Sequence, residues 1–205
     1  MSDEPPSIKI TLLGNPGVGK TCIIARYIEN VYNENNASTI GANYSEKTIK
    51  KKGREYQLDI WDTAGQEKFH SLGKHFYKDS YIVCLVYDIT NQESVDALKS
   101  VWYPDIQKYG EKYAVLAVIG NKSDLYENEE LADEQQAKDF AKEINATFML
   151  TSAKTGDGIE KLFDVLTDKI IDDPKFAALL KGKGDNIVLD KNKVDEQGKK
   201  KKKFC

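Results

Sequence analysis

The chain has few of the features that mark secreted or membrane-spanning proteins. Its 205 residues include three cysteines, Cys22, Cys84 and Cys205, which is an odd number and too small a one for a disulfide framework. We therefore expect a reducing compartment and interpret Cys22 and Cys84, which lie in apolar stretches, as small core residues. No apolar run resembles a signal peptide or approaches the length of a bilayer span, so neither is expected. The two histidines, His70 and His75, are interpreted as solvated side chains without a chemical role.

Basic residues are scarce over most of the chain. The formal net charge is −3 at pH 7. Residues 181–205 hold nine lysines against four acidic residues, a net +5, which leaves 21 basic and 29 acidic residues, a net −8, in residues 1–180. Because nucleic-acid binding depends on a basic surface, the body of the protein is not expected to bind nucleic acid.

Strand and helix patterns alternate along the chain. Apolar, β-rich runs occur at 8–13, 56–61, 81–87, 114–119 and 146–150. Helical spacing of apolar residues occurs at 22–28, 93–109, 133–145 and 158–171. Residues 44–51 and 54–61 flank Lys52-Gly53 and predict a hairpin that adds one antiparallel edge strand. These patterns predict an α/β fold with a mostly parallel six-stranded sheet and helices on both faces, in which ligands bind beyond the carboxyl ends of the strands.

The first predicted strand is followed by the segment G-N-P-G-V-G-K-T over residues 14–21, which fits the phosphate-binding loop pattern of P-loop nucleoside triphosphatases. Strand, glycine loop and helix start aim backbone N–H groups and the positive end of a helix dipole at an anion. Lys20 would reach the β- and γ-phosphates, and the Thr21 hydroxyl would bind Mg²⁺. The residues predicted to surround the phosphates are Asn15, Pro16, Gly17, Val18, Gly19, Lys20, Thr21 and Cys22.

The segment N-K-S-D over residues 121–124 indicates which base is bound. The Asp124 carboxylate can accept hydrogen bonds from N1–H and the 2-amino group of guanine, whereas adenine offers neither donor. Asn121 would brace the neighbouring loops, and Lys122 would lie along the base. The competing interpretation of these four residues alone is an Asx-type turn before an acidic helix. Backbone N–H groups near the guanine O6 are expected from Ser152, Ala153 and Lys154.

A third segment, D-T-A-G-Q over residues 62–66, closes another predicted strand. Asp62 is the expected carboxylate that holds Mg²⁺ through a water molecule. The Gly65 N–H could sense a γ-phosphate, and Gln66 could orient the attacking water. A simple strand-ending turn would account for Gly65 but not for the whole group.

With these segments in place, residues 8 to about 172 resemble a Ras-superfamily small GTPase, specifically of the Rab family. The motifs G-N-P-G-V-G-K-T, S-T-I-G, W-D-T-A-G-Q-E, N-K-S-D and T-S-A-K occur in the family's order and spacing. The resemblance implies that Thr39 binds Mg²⁺ and the γ-phosphate in the GTP state and that Tyr32 lies against the guanine. His70-Ser71-Leu72 is similar to the endosomal Rabs.

The resemblance also implies an effector-binding aromatic triad at Tyr44, Trp61 and Phe76. The family's usual order is Phe, Trp and Tyr, so two positions differ, and packing alone would also account for all three. Pro16 differs too, because Ras-like loops carry glycine there and proline has no N–H to offer a phosphate. We hypothesise that Pro16 alters the hydrolysis rate and the fit to an activating protein, which single-turnover hydrolysis by a Pro16→Gly variant would measure.

The end of the chain has a composition of its own. Lys199–Lys203 form a polybasic run that can add about 1 kcal/mol per lysine at an anionic membrane surface, which is insufficient for stable anchoring without a lipid. Rabs are prenylated at C-terminal cysteines, so Cys205 is the expected lipidation site, and an unmodified solvated tail is the other interpretation. Residues 187–189 resemble the short motif that docks on the escort protein. The expected division is a flexible N-terminus (1–7), a GTPase domain (8–175) and a hypervariable tail (176–205).

The resemblance implies a monomeric switch that binds GTP and GDP with Mg²⁺, hydrolyses GTP through Lys20 and Gln66, and regulates vesicular traffic, most similarly to the endosomal Rabs. The implied partners are an exchange factor, a GTPase-activating protein, an escort protein or GDI, and effectors. The expected location is the cytoplasm and the cytoplasmic face of endosomal or other vesicle membranes. One alternative is a regulatory module that binds GTP with little hydrolysis. Another is a P-loop metabolic kinase, which the scarcity of arginine disfavours.

Overall fold

The computed structural model describes residues 5–34, 39, 41–63, 78–127 and 129–178. Six strands form one sheet in the order β2-β3-β1-β4-β5-β6. Their bounds are β1 Ser7–Leu13, β2 Ala42–Lys51, β3 Arg54–Thr63, β4 Ile82–Asp88, β5 Val115–Asn121 and β6 Thr147–Thr151. Five strands are parallel and β2 is antiparallel to β3, which confirms the predicted mixed sheet.

The helices are α1 Lys20–Glu29, α2 Gln92–Ala97, α3 Tyr103–Tyr109, α4 Glu134–Glu143 and α5 Ile159–Ile171. Each predicted strand and helix is present with ends displaced by no more than two residues, except that the single helix predicted at 93–109 is divided into α2, a π-helical turn and α3. No helix within these described stretches is long and apolar enough to cross a bilayer.

Two hydrophobic clusters cover the two faces of the sheet. The first packs α1 and α5 against the central strands, and there the rings of Tyr27 and Phe163 stack with centroids 3.8 Å apart. The second packs the helices between β4 and β6 against the opposite face, around Leu85 and Trp102. The central strand β4 is buried along its whole length, as expected for a parallel strand that is covered on both faces.

The edge strand β2 differs from the central strands because its outer face meets solvent. Polar and charged residues alternate along it, and its register places Tyr44 opposite Trp61 of β3. Lys51 at the end of this strand pairs with Asp164 at 2.8 Å and Asp168 at 3.1 Å on α5. The hairpin is therefore joined to the last helix at the end of the sheet opposite the loop at 14–21.

A π-helical turn, Leu98–Trp102, joins α2 to α3 and was not predicted from the sequence. The backbone N–H of Tyr103 donates to the Leu98 carbonyl across the turn. Pro104 follows in the first turn of α3, and proline can neither donate to the residue four positions earlier nor tolerate its carbonyl. The wider turn therefore allows a helix containing Pro104 to continue. It also buries both Leu98 and Trp102.

Candidate functional site

The loop between β1 and α1 is shaped by two glycines with positive φ. Gly14 has φ 143°, and a Cβ there would lie 2.1 Å from the Val86 carbonyl oxygen. Gly19 has φ 96°, and its Cβ would lie 2.3 Å from Asn121 Nδ2. Any larger residue would push the loop off the neighbouring strands. The loop path thus requires glycine at both positions.

Helix α1 begins at Lys20 without a side-chain cap and without an acidic residue in its first turn. The first N–H groups of a helix have no acceptor within it, and the dipole places partial positive charge there. An anion can therefore bind at this helix start without displacing a protein side chain.

The Lys20 side chain is buried beside the loop. Its Nζ donates to the carbonyl oxygens of Gly14 at 2.7 Å and Asn15 at 3.1 Å. Burial lowers the pKa of Lys20 to about 8, and the charge of Asp62 opposes this shift. A cation held in such surroundings is stabilised when phosphate oxygens approach, because its carbonyl partners supply only partial charge.

Three oxygen-bearing side chains meet beside Lys20. The Thr21 hydroxyl donates to Asp62 Oδ2 at 2.6 Å and lies 2.8 Å from the Thr39 hydroxyl, which donates to the same oxygen at 3.2 Å. Asp62 is buried, and its Oδ1 has no hydrogen-bond partner among the residues that the structure describes. Burial raises the pKa of Asp62, while the hydrogen bonds and Lys20 oppose that shift. A buried carboxylate oxygen without a partner beside two hydroxyls suits a small hard cation such as Mg²⁺.

A cavity of about 410 Å³ opens along this loop, within the usual range for small-molecule sites. Among the residues predicted from the sequence, those lining it are Pro16, Gly17, Gly19, Lys20, Thr21, Cys22, Tyr32, Thr39, Asn121, Lys122, Asp124, Ala153 and Lys154. Cys84 is fully buried as expected, and Cys22 packs against the first hydrophobic cluster but is not fully buried. Cys22 is half-buried because it lies in the first turn of α1, where the helix faces the cavity.

Asn121, at the end of β5, connects three segments of the site. Its Nδ2 donates to the Val18 carbonyl at 2.9 Å, and its Oδ1 accepts from Ala153 N at 3.3 Å and Thr151 Oγ1 at 3.2 Å. Asn121 is almost completely buried. These contacts fix the loop at 14–21 relative to the segment that follows β6.

Asp124 and Lys122 have partners that were not predicted. Ser152 Oγ donates to Asp124 Oδ1 at 2.5 Å and leaves Oδ2 for other donors. Lys122 has a left-handed backbone, φ 69°, and its Nζ pairs with Asp88 Oδ2 at 2.5 Å. The opposite oxygen of Asp88 accepts from Thr90, so this buried carboxylate is held rigidly. The Lys122 chain is thereby fixed along the wall of the cavity.

Arg26 of α1 holds the loop after β6. Its Nε donates to the Ala153 carbonyl at 2.8 Å and its guanidinium to the Lys154 carbonyl at 2.7 Å. The chain's other arginine, Arg54, begins β3 and lies over the Tyr56 ring. Neither arginine lines the cavity. The chain therefore offers no arginine of its own to a reacting phosphate.

The predicted effector residues are only partly described. Tyr44 is 44% exposed, and its ring centroid lies 5.2 Å from that of Trp61. The Tyr44 hydroxyl donates toward Glu46 Oε1 at 2.7 Å and Asp59 Oδ1 at 2.8 Å. The remaining predicted residues, Gly65, Gln66, Phe76, Lys199–Lys203 and Cys205, lie outside the described residues.

Sequence reasoning missed the contributions of Asp88, Arg26 and Trp102. Asp88 ends a strand in the same way as Asp62, and that parallel could have identified it. Nothing in the local sequence marks the role of Arg26 at the site, because its partners in the loop after β6 are more than 120 residues away. Trp102 Nε1 donates to Asn15 Oδ1 at 2.9 Å, a contact between the π turn and the loop at 14–21.

The open α/β sheet, the glycine loop at a helix start and the buried lysine define a P-loop nucleoside triphosphatase. The family model for the Ras family matches residues 9–172. The chain is 36% identical over 180 residues to Ras-related protein Rab-30 of Homo sapiens, covering 88% of each. It is 39% identical over 178 residues to Ras-related protein Rab-21 of Homo sapiens, covering 87% of this chain and 78% of that protein. The chain belongs to the Ras family and is a Rab small GTPase, a hydrolase of GTP in a family that regulates membrane traffic.

Proposed function

We propose that the cavity holds GTP or GDP with the phosphates along residues 14–21 and the guanine at Asp124. The observation that carries this assignment is the meeting of Thr21, Thr39 and Asp62 beside the buried Lys20, at the start of an uncapped helix. Asp124 lines the same cavity, with one carboxylate oxygen oriented by Ser152. A guanine nucleotide matches both groups of residues, because phosphate requires cations and N–H donors and guanine requires an acceptor pair.

Thr21, Thr39 and Asp62 would hold Mg²⁺, which supplies charge neutralisation of the phosphate oxygens when bound. Lys20 would hold the β- and γ-phosphates, and its ammonium group would stabilise the charge that develops during hydrolysis. The Thr39 hydroxyl would remain in place only while a γ-phosphate is present, so this residue would couple the nucleotide to the surface around it. We assign the orientation of the attacking water to Gln66.

Substitution of Asp62 by asparagine is the direct test of this site. In the wild-type protein, chelation of Mg²⁺ is expected to accelerate GDP release at least about tenfold, since the ion contributes on the order of kilocalories to phosphate binding. Asp62→Asn should release GDP rapidly in the presence of Mg²⁺, and chelation should add little. Release of a fluorescent GDP analogue by stopped flow measures both rates.

Asp59→Asn is the matched control for that experiment. Asp59 lies on the same strand but on its opposite face, outside the cavity. This variant should retain the wild-type rates with and without chelator. If Asp62→Asn kept the full response to chelation, Asp62 would have no part in holding the ion.

Hydrolysis distinguishes a switch from a module that only binds GTP. A Gln66→Leu variant is expected to bind GTP as tightly as wild type but to release phosphate at least about tenfold more slowly, because it cannot orient water. Single-turnover phosphate release measures the rate. An equally slow wild-type protein, unaffected by a GTPase-activating protein, would favour the binding-only alternative.

We further propose an endosomal site of action, as the resemblance of His70-Ser71-Leu72 to the endosomal Rabs implies. Lipidation of Cys205, with Lys199–Lys203 at the membrane surface, would place the protein on the cytoplasmic face of vesicles. Mass spectrometry of the native protein tests the modification, and unmodified Cys205 would exclude it. The exposed Tyr44 and the half-buried Trp61 beside it are the proposed effector contact, supported by the exposure of Tyr44 on the hairpin.

A further inference from the structure

Trp102 lies outside every family motif given above, yet it contacts Asn15 of the phosphate loop. Trp102 is 5% exposed, and its indole N–H donates to the side-chain oxygen of Asn15 at 2.9 Å. The two residues are 87 positions apart in the sequence. A buried indole N–H needs an acceptor, and here that acceptor belongs to the phosphate loop.

Asn15 is held from two directions. Its main-chain carbonyl accepts from Lys20 Nζ at 3.1 Å, and its side-chain oxygen accepts from Trp102. Pro16 follows, and a residue before proline is restricted to extended backbone. Asn15 therefore contacts both the lysine proposed to bind the phosphates and Trp102 of the π turn.

The π turn determines where Trp102 lies. Leu98 and Trp102 lie at its two ends and are both buried in the second hydrophobic cluster, and the indole N–H of Trp102 also reaches the loop. Such turns are frequently found at functional sites, because the extra residue re-aims a side chain without ending the helix. Pro104 favours this wider turn over a regular one.

We propose that Trp102 is a positioning residue that holds the phosphate loop in its nucleotide-binding shape through Asn15 and so sets the rate of nucleotide release. This inference rests on the proposed placement of the phosphates along residues 14–21. Trp102 would act without touching the nucleotide, since it does not line the cavity. The proposed effect passes through the Trp102–Asn15 hydrogen bond and can be measured by deleting either partner.

Trp102→Phe retains an aromatic ring and removes the N–H. This variant should release GDP about threefold to tenfold faster than wild type, the range that corresponds to one neutral hydrogen bond. Asn15→Ala should give a similar increase, and the double variant should be no faster than the faster single variant. Tyr103→Phe is the matched control, because it deletes one polar atom from the neighbouring ring, which packs on Phe140 instead. It should release GDP at the wild-type rate.

A spectroscopic measurement separates positioning from simple packing. In a Trp61→Phe background Trp102 is the only tryptophan, and its emission should shift when bound GDP is removed. Asn15→Ala should abolish that shift. Because Asn15 is only half-buried, Asn15→Ala should leave the core intact. It therefore tests whether Trp102 positions the loop even if Trp102→Phe fails to fold.

Wild-type release rates in Trp102→Phe and Asn15→Ala would overturn the inference, as would effects that multiply in the double variant. The inference would also be overturned if the Trp102 emission did not shift when bound GDP is removed. These results leave the phosphate assignment standing, provided that Lys20→Met loses GDP binding. If Lys20→Met bound GDP as wild type does, the proposed site itself would be wrong.

Discussion

Lys20→Met is expected to abolish tight nucleotide binding while it stabilises the nucleotide-free protein. The lost ammonium group would have formed charge-assisted hydrogen bonds to two phosphates, so the affinity for GDP should fall by about 10²–10⁴-fold. Without nucleotide the same charge destabilises the folded protein, since Lys20 is 5% exposed and burial lowers its pKa to about 8. Methionine fills the same space without charge and should raise the free energy of unfolding at pH 7 by roughly 1–3 kcal/mol.

The sign of the pH dependence follows from that pKa. Between about pH 8 and the ordinary lysine value of 10.5, the unfolded chain binds more protons at this position than the folded one. The destabilisation by charged Lys20 is therefore fully present below about pH 8, and it disappears as the pH rises from about 8 to 10.5. The stability difference between Lys20→Met and wild type should shrink from pH 7 to pH 10. Denaturant unfolding of both nucleotide-free proteins measures it, and a variant less stable than wild type at pH 7 would contradict the prediction.

Asp124→Asn should exchange one base specificity for another. In the proposed placement the carboxylate would accept two hydrogen bonds from guanine, each contributing about 1.5–3 kcal/mol, so GDP affinity should fall by about 10²–10⁴-fold. An asparagine amide can donate as well as accept. Xanthine, which carries a carbonyl at position 2 in place of the amino group, should therefore bind the variant better than guanine does. Calorimetric titration with GDP, XDP and ADP measures the order of affinities.

Ser152→Ala is the companion variant for that titration. The Ser152 hydroxyl orients the carboxylate by donating to Asp124 Oδ1 at 2.5 Å, and it also accepts from the Thr155 N–H at 3.1 Å. Its loss should weaken GDP binding by about tenfold or less and leave the preference for guanine unchanged. Undiminished GDP affinity in Asp124→Asn would place the base elsewhere in the cavity.

The six strands and their mostly parallel arrangement could be predicted because apolar, β-rich runs bounded by turn residues alternate with helical patterns, whereas the order of the strands in the sheet was not predicted. The phosphate loop and the N-K-S-D segment could be predicted for a similar reason, since their chemistry is contained in contiguous residues. The π turn could not, because it arises from Pro104 acting on a backbone that propensity describes as regular helix. The roles of Arg26 and Ser152 depend on where the loop after β6 meets α1 and β5, which no local pattern encodes.

Cys22 shows the limit of apolar spacing as evidence. The residue fits the helical pattern of α1, yet it lies at the helix start, where the same face turns from the core toward the cavity. Periodicity identifies which side of a helix is apolar. It does not show where along the helix the core gives way to a ligand site.

Asn121 joins the phosphate loop to the base-binding segments in one rigid unit, and this makes the site bivalent. A nucleotide would then be a bivalent ligand, with its base and its phosphates bound at a fixed distance from each other. Once one end is bound, the other is held at a high effective concentration, and both ends must be released together before the ligand escapes. Guanosine alone or pyrophosphate alone gains none of this chelate advantage. We therefore expect slow release of the intact nucleotide to depend on the Asn121 contacts as much as on the phosphate or base contacts alone. A partner that promotes GDP release would need only to separate the phosphate loop from the base-binding segments.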